Sequence, residues 1–111
     1  MRGFLAKLQE VGELNRIEAA VDPYLEAGAI AQRLAERGGP AAHFVNLEGA
    51  SPGLSLLSGS MGRGAMALWS KVALALEIDP VSRYQIILEE VSRRRESPIN
   101  PLQVGDGLCK Q

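Results

Sequence analysis

The sequence predicts a small α+β domain, a mixed sheet of about three short strands packed with about four helices. Three observations carry that expectation. Apolar residues recur at helical spacing in four separate stretches. Short β-branched or apolar runs stand between them, bounded by Gly and Pro. The order is helix, strand, helix, strand, the pattern of strands joined through helical connections.

Phe4, Leu5, Leu8 and Val11 set the stripe of a first helix over residues 2–11, and Gly12 is placed to end it in a left-handed cap. Leu14-Asn15-Arg16-Ile17-Glu18 reads as a short strand with a looser link through Val21. Asp22-Pro23 starts the next helix, Asp as cap and Pro in the first turn. Leu25, Ala29, Ile30 and Leu34 are its expected buried face, and Gly38-Gly39-Pro40 stops it. Residues 41–47 read as a mostly buried strand, and residues 54–58 as another after the Glu48-Gly49 and Ser51-Pro52-Gly53 turns. Beyond the loop at 59–64, a helix is expected from about Ala65 to Glu77 with Leu68, Trp69, Val72, Ala73 and Leu76 inward. Asp79-Pro80 breaks it. Ser82 and Gln85 have capping-box spacing and open a last helix striped by Tyr84, Ile87, Leu88 and Val91. Pro98 and Pro101 prevent a regular continuation.

The 111 residues hold one small domain, which buries roughly 65% of the surface of its unfolded chain. Hydrophobic residues make up 46% and aromatics only 5%, so the core is expected to rest on Leu, Ile, Val and Ala. The net charge of −1 argues against nonspecific binding to nucleic acid or to an anionic membrane surface, which needs a basic excess. Arg93-Arg94-Arg95 falls at the end of the last helix, where positive charge suits the helix dipole. No apolar run approaches the roughly 20 residues of a membrane helix. Lys7, Gln9 and Glu10 interrupt any signal-peptide core. Cys109 stands alone, which suits a reducing compartment. The expectation is a soluble, cytoplasmic protein.

Chemistry-bearing residues are sparse. Glycines at 59, 62 and 64 lie between strand and helix but lack both the G-x-G-x-x-G and the P-loop spacing, so a tight turn is favoured over a phosphate site. His43 has no Cys, His or carboxylate at ligand spacing and reads as structural. Cys109, Ser58 and Ser60 lack an acid–base partner. Glu10, Glu13 and Glu18 fall on different elements, and Glu89-Glu90 on a solvated helix face; none makes an acid–base pair. No catalytic, cofactor-binding or metal residue is assigned.

The order of the turns and caps is more specific. Gly12-Glu13-Leu14-x-Arg16-Ile17, Val21-Asp22-Pro23-x-Leu25-Glu26, Ile30-x-x-Arg33, Gly39-Pro40-Ala41 and Phe44-x-Asn46-Leu47-x-Gly49 together resemble the opening of the UbiD family of decarboxylases. Pro98-x-x-Pro101 and then Gly107-Leu108-Cys109-Lys110-Gln111 are similar to the Gly-Pro-Cys-Lys-Glu segment of the ferulic acid (phenylacrylic acid) branch, with Leu108 for the proline and Gln111 for the glutamate. The resemblance implies a family that uses prenylated flavin mononucleotide, manganese and potassium to decarboxylate aromatic or α,β-unsaturated acids non-oxidatively. It implies that the acidic and arginine residues of that chemistry lie in a flavin-binding domain beyond Gln111. Residues 1–97 are then expected to be a non-catalytic flank and 98–111 an extended linker toward the missing catalytic domain, with no cofactor bound by this chain alone. The parent enzyme is expected to be a homo-oligomer. Leu54, Leu56, Leu57, Met66 and Leu68 are candidates for apolar surface left exposed. Two other readings stand beside this one: an accessory subunit that docks on a separate catalytic chain, and a small phosphate binder using the 59–64 loop.

Overall fold

The computed structural model describes residues 2–102, apart from the side chain of Arg2; the Gly107–Gln111 segment and Cys109 lie outside them. The elements run α1 (Arg2–Glu10), β1 (Leu14–Ile17), α2 (Glu26–Glu36), β2 (Ala41–Phe44), β3 (Leu56–Ser58), α3 (Ser70–Ala75) and α4 (Tyr84–Glu96). The fold is α+β, with a three-stranded mixed sheet of order β1-β2-β3. β1 and β2 are parallel, Leu14 opposite Ala41 and Ile17 opposite Phe44, with α2 as the crossover that a parallel pair requires. β2 and β3 are antiparallel, His43 opposite Leu57.

Alternation along β2 divides the core. Ala42 and Phe44 face α2 and pack with Val21 and Ala27, flanked by Ile17, Ile30, Leu34 and Leu47. Ala41 faces the other way onto Leu8 and Leu74, with Phe4, Val11, Leu14 and Leu57 around them. The central strand is therefore covered on both sides, which explains its near-continuous apolar sequence. Full burial of a side chain such as Phe44 or Leu8 is worth about 1.5–3 kcal/mol.

Gly12 closes α1 at a φ of 75° as expected, and Gly38 does the same after α2 at 62°. Several boundaries differ from expectation, each for a physical reason. Asp22 does cap, but it caps a turn: its Oδ1 accepts the Tyr24 N–H at 2.8 Å, and the regular helix opens only at Glu26. Ile30 and Leu34 pack on the core as expected, and Ala27 is buried with them, whereas Leu25, left ahead of the helix, is 69% exposed and Ala29 is exposed too. β2 ends at Phe44 rather than at Leu47, although an isolated parallel bridge from Val21 to Leu47 prolongs the pairing. β3 begins at Leu56, not Leu54.

The largest departure is the helix expected over 65–77, which spans only Ser70–Ala75. Ala73 is buried and Val72 and Leu76 are half-buried as expected, but Leu68 and Trp69 face outward. Ser70, Lys71 and Leu74 take the inward positions instead. In α4, no side chain caps the first turn: Arg83 occupies the cap position and Ser82 forms no capping box. Only Ile87 of its apolar stripe is buried; Tyr84, Leu88 and Val91 are exposed. Arg94 ties α4 to the rest by donating to the Leu76 carbonyl.

Candidate functional site

The described residues concentrate their buried polar groups in one place, where the start of β1 meets the loop leading into α3. Glu13 follows the left-handed turn at Gly12 and is fully buried. Its backbone is committed on both sides: its N–H donates to the Leu8 carbonyl at 2.8 Å, and its carbonyl accepts from Ala41 at 2.8 Å. The side chain is thereby aimed across the sheet at the 64–70 loop.

There the carboxylate collects three donors. Oε2 accepts the Ala65 N–H at 2.8 Å. Oε1 accepts the Met66 N–H at 2.7 Å and the Ser70 hydroxyl at 2.5 Å. The Ala67 carbonyl lies 2.9 Å from the same hydroxyl and competes for its single proton. Burial pushes the Glu13 carboxyl up, but the bonds from Ser70, Ala65 and Met66 and the nearby Lys71 charge outweigh it, so it titrates below the usual carboxylate range. Lys71 is also buried. Its ammonium donates to the Gly39 and Gly59 carbonyls, both at 3.0 Å. Desolvation lowers its pKa, and the Glu13 charge opposes that.

Gly64 shows how closely the loop wraps this carboxylate. A Cβ there would overlap the Ser70 hydroxyl and lie 2.6 Å from the Ala67 carbonyl and 2.7 Å from Glu13 Oε1. The same contacts explain the late start of α3. Ala65 and Met66 donate their amides to Glu13, and the Gly64 N–H turns to the Leu68 carbonyl, a loop bond that closes 64–68 before α3 opens at Ser70.

A Ser beside a Glu and a Lys is an arrangement that can serve nucleophilic catalysis, but this geometry suits a staple. Ser70 and Lys71 are shut from solvent, and Lys71 points at two carbonyls rather than at Ser70. Glu13 is held as a weak base. The cavity beside Lys71, bounded by Ala42, Ser58, Gly59, Gly62 and Arg63, has about 30 Å³, room for a water rather than a substrate. The phosphate reading of the 59–64 loop meets the same geometry: the Gly62 N–H turns back to Gly59 and the Gly64 N–H to Leu68, while the next two amides hold Glu13.

The other residues singled out from the sequence are not drawn into this cluster. His43 lies on the central strand, its Nε2 3.1 Å from the Ser55 hydroxyl. Glu18 pairs with Arg16, and Glu10 is exposed at the end of α1. Of the pair read onto a solvated helix face, Glu89 is exposed, while Glu90 is half-buried and bound by Arg93 and Arg94, both at 2.7 Å, which hold its pKa at about 2. Cys109 lies outside the described residues.

The outer face of the stapled loop is apolar. Leu68 is 53% and Trp69 40% exposed, and Met61 and Met66 are exposed on the same segment. The Trp69 ring stands 5.5 Å from that of Tyr84 at the start of α4, where Leu88, one turn on, is also exposed. Of the sequence candidates for exposed apolar surface, Leu54, Leu56, Met66 and Leu68 are exposed, while Leu57 is half-buried against Ala41 and Leu8. A separate shallow groove of about 480 Å³ on α2 is lined by Ala29, Ile30, Leu34 and two arginines, Arg33 and Arg37. No group of three potential metal ligands occurs among the described residues, and none of their helices is long and apolar enough to cross a membrane.

Glu13, Ser70 and Lys71 as a cluster escape local sequence patterns because the partners lie 57 positions apart. One signal points to them in retrospect, a carboxylate between a helix-ending glycine and the first strand; Lys71 falls off the apolar stripe and gives none.

The family model described as the 3-octaprenyl-4-hydroxybenzoate carboxy-lyase N-terminal domain matches residues 5–91. Among solved structures, the chain is similar to vanillic acid decarboxylase of Sedimentibacter hydroxybenzoicus in its open form, at 26% identity and a TM-score of 0.70, over 83% of this chain and 18% of that one. The closed form matches at 27% identity and a TM-score of 0.73, over 86% and 19%. The open form with truncated ShVdcD matches at 25% and 0.73, over 90% and 20%. The chain thus spans no more than a fifth of the length of these structures.

Proposed function

The chain belongs to the family of UbiD carboxy-lyase N-terminal domains, and on that premise we propose that it is the non-catalytic N-terminal portion of a UbiD-type decarboxylase, docking through an apolar face on a flavin-binding catalytic portion. The observation that carries this reading is the contrast between interior and surface. Every buried polar side chain around Glu13 is engaged in holding the fold, while Met61, Met66, Leu68, Trp69 and Tyr84 lie open on the surface. Exposed apolar residues concentrated on one loop and the adjoining Tyr84 ring suit an interaction site. In this reading residues 98–111 are the linker toward the catalytic portion, and Ile99 and Leu102, within its described part, are 96% and 88% exposed.

The parent enzyme then acts non-oxidatively on an aromatic or α,β-unsaturated carboxylic acid of the ferulic or cinnamic type, and vanillic acid enters the same class through the similar structures. Prenylated FMN, manganese and potassium would belong to the catalytic portion. The donor set described here does not fit them. Among the described residues no three potential metal ligands gather, and the loop amides at 65 and 66 that could meet a phosphate are taken by Glu13.

The test is assembly. The chain is mixed with the flavin-binding portion of a family carboxy-lyase deprived of its own N-terminal domain, and sedimentation is followed. Co-sedimentation that Leu68→Asp abolishes supports the reading; a chain that stays monomeric beside it refutes it. An accessory subunit would give the same complex but fold residues 98–111 back on the apolar face, so rapid cleavage there by a protease favours the linker.

A further inference from the structure

We infer that the 64–70 turn is a carboxylate-binding site that the chain fills from within, and that Glu13, by filling it, sets the shape of the loop displaying Met66, Leu68 and Trp69. Two adjacent amides and one hydroxyl converge on a single carboxylate at 2.5–2.8 Å. Successive N–H groups aimed at one point make an anion-binding concavity. Gly64 closes around it so tightly that a methyl group would lie 2.7 Å from Oε1. Lys71 adds positive field from the side while its own protons are held by Gly39 and Gly59.

The acceptor comes from 52 positions away along the chain, so nothing local substitutes for it. Without it, the Ala65 and Met66 amides and the Ser70 hydroxyl lose a charged acceptor together. Met66 is itself one of the donors, and Leu68 and Trp69 lie between the donors Met66 and Ser70. The backbone that Glu13 pins is the backbone that carries the apolar face. Glu13 is therefore a positioning residue. That the displayed face serves docking rests on the function proposed above; the carboxylate site does not.

Trp69 is the chain's single tryptophan, one position before Ser70, so its emission reports on the loop. The parent chain, Glu13→Ala and Glu13→Gln are compared by Trp69 emission and by amide hydrogen exchange over residues 64–70, with sodium formate as the probe and sodium chloride at equal ionic strength as the control. Both variants are expected to speed exchange at residues 65 and 66 by about tenfold or more. Formate should reverse this in Glu13→Ala, where the site stands vacated, and not in Glu13→Gln, whose side chain still fills it. Parent-like exchange in either variant, or formate acting no better than chloride on a folded Glu13→Ala, overturns the proposal. Should Glu13→Ala fail to fold without formate, Glu13→Gln decides: it keeps the volume but replaces one acceptor with an NH₂ group, and unchanged exchange at 65 and 66 sinks the idea. Formate rescue together with unimpaired assembly of Leu68→Asp would leave the carboxylate site standing and remove the docking face.

Discussion

Gly64→Ala tests the staple most economically. No positive φ constrains Gly64, so alanine can adopt its backbone and the cost is steric. The added methyl would overlap the Ser70 hydroxyl and press on the Ala67 carbonyl and Glu13 Oε1 at 2.6 and 2.7 Å. Overpacking of this kind costs about 1–3 kcal/mol. Displacing Ser70 from the carboxylate adds about 1–2 kcal/mol, since a hydrogen bond to a charged group is lost in a buried site. The sum, about 2–5 kcal/mol, is a large fraction of the ~5–15 kcal/mol that holds a domain of this size. Urea unfolding followed by Trp69 emission should show the midpoint falling by about 2 M, given a slope near 1–2 kcal/mol/M. Gly62→Ala is the internal control. The nearest atom to its methyl would be the Gly59 carbonyl at 3.8 Å, so it should shift stability by less than about 0.5 kcal/mol. Coincident midpoints for the two variants would refute the close wrapping of Glu13 by this loop.

Two further outcomes follow from the same geometry. Because the folded Glu13 carboxyl titrates below its unfolded value of 4.5, the unfolded chain takes up its proton first on acidification. The Glu13 contribution is therefore complete above about pH 4.5 and is lost as pH falls through the lowered folded value; Glu13→Gln should flatten that acid limb of stability, measured by urea midpoints from pH 6 downward. Lys71 works in the opposite sense: with its folded pKa lowered below 10.5, stability rises with pH in the alkaline window up to that value, a rise that Lys71→Met should remove. Leu68→Asp, at an exposed position, should leave the urea midpoint within about 0.5 kcal/mol of the parent while abolishing assembly with the flavin-binding portion.

Much of the frame was legible because it is written locally. Gly12 and Gly38 end helices where a left-handed residue is needed, and Leu14–Ile17 and Ala41–Phe44 are strands where short apolar runs stand between turn residues. Asp22 was legible as a capping residue but not as the cap of a turn; Ile30 and Leu34 pack on the core as expected, while Leu25, left ahead of the helix, and Ala29 are exposed and Ala27 is buried with them. Ser82 matched a capping box in sequence, yet Arg83 takes that place. The α3 region shows why patterns fail there. Leu68, Trp69, Val72 and Leu76 have helical spacing, but 64–69 forms a loop around Glu13 and leaves Leu68 and Trp69 exposed. No local rule reports a buried carboxylate that lies 52 positions away in the sequence. The family resemblance rests on the order of turns and caps, which carry the frame, and on Glu13 among them, which also carries the staple.

The proposed function assigns this chain docking rather than chemistry. The most direct measurement is release of carbon dioxide from ¹⁴C-carboxyl ferulic and vanillic acids by three samples: the chain alone, a cofactor-loaded flavin-binding portion lacking its N-terminal domain, and the two together. The account predicts no release by the chain alone and release by the mixture exceeding that of the catalytic portion, with the gain abolished by Leu68→Asp. Release by the chain alone, or a mixture no more active than the catalytic portion, would contradict it.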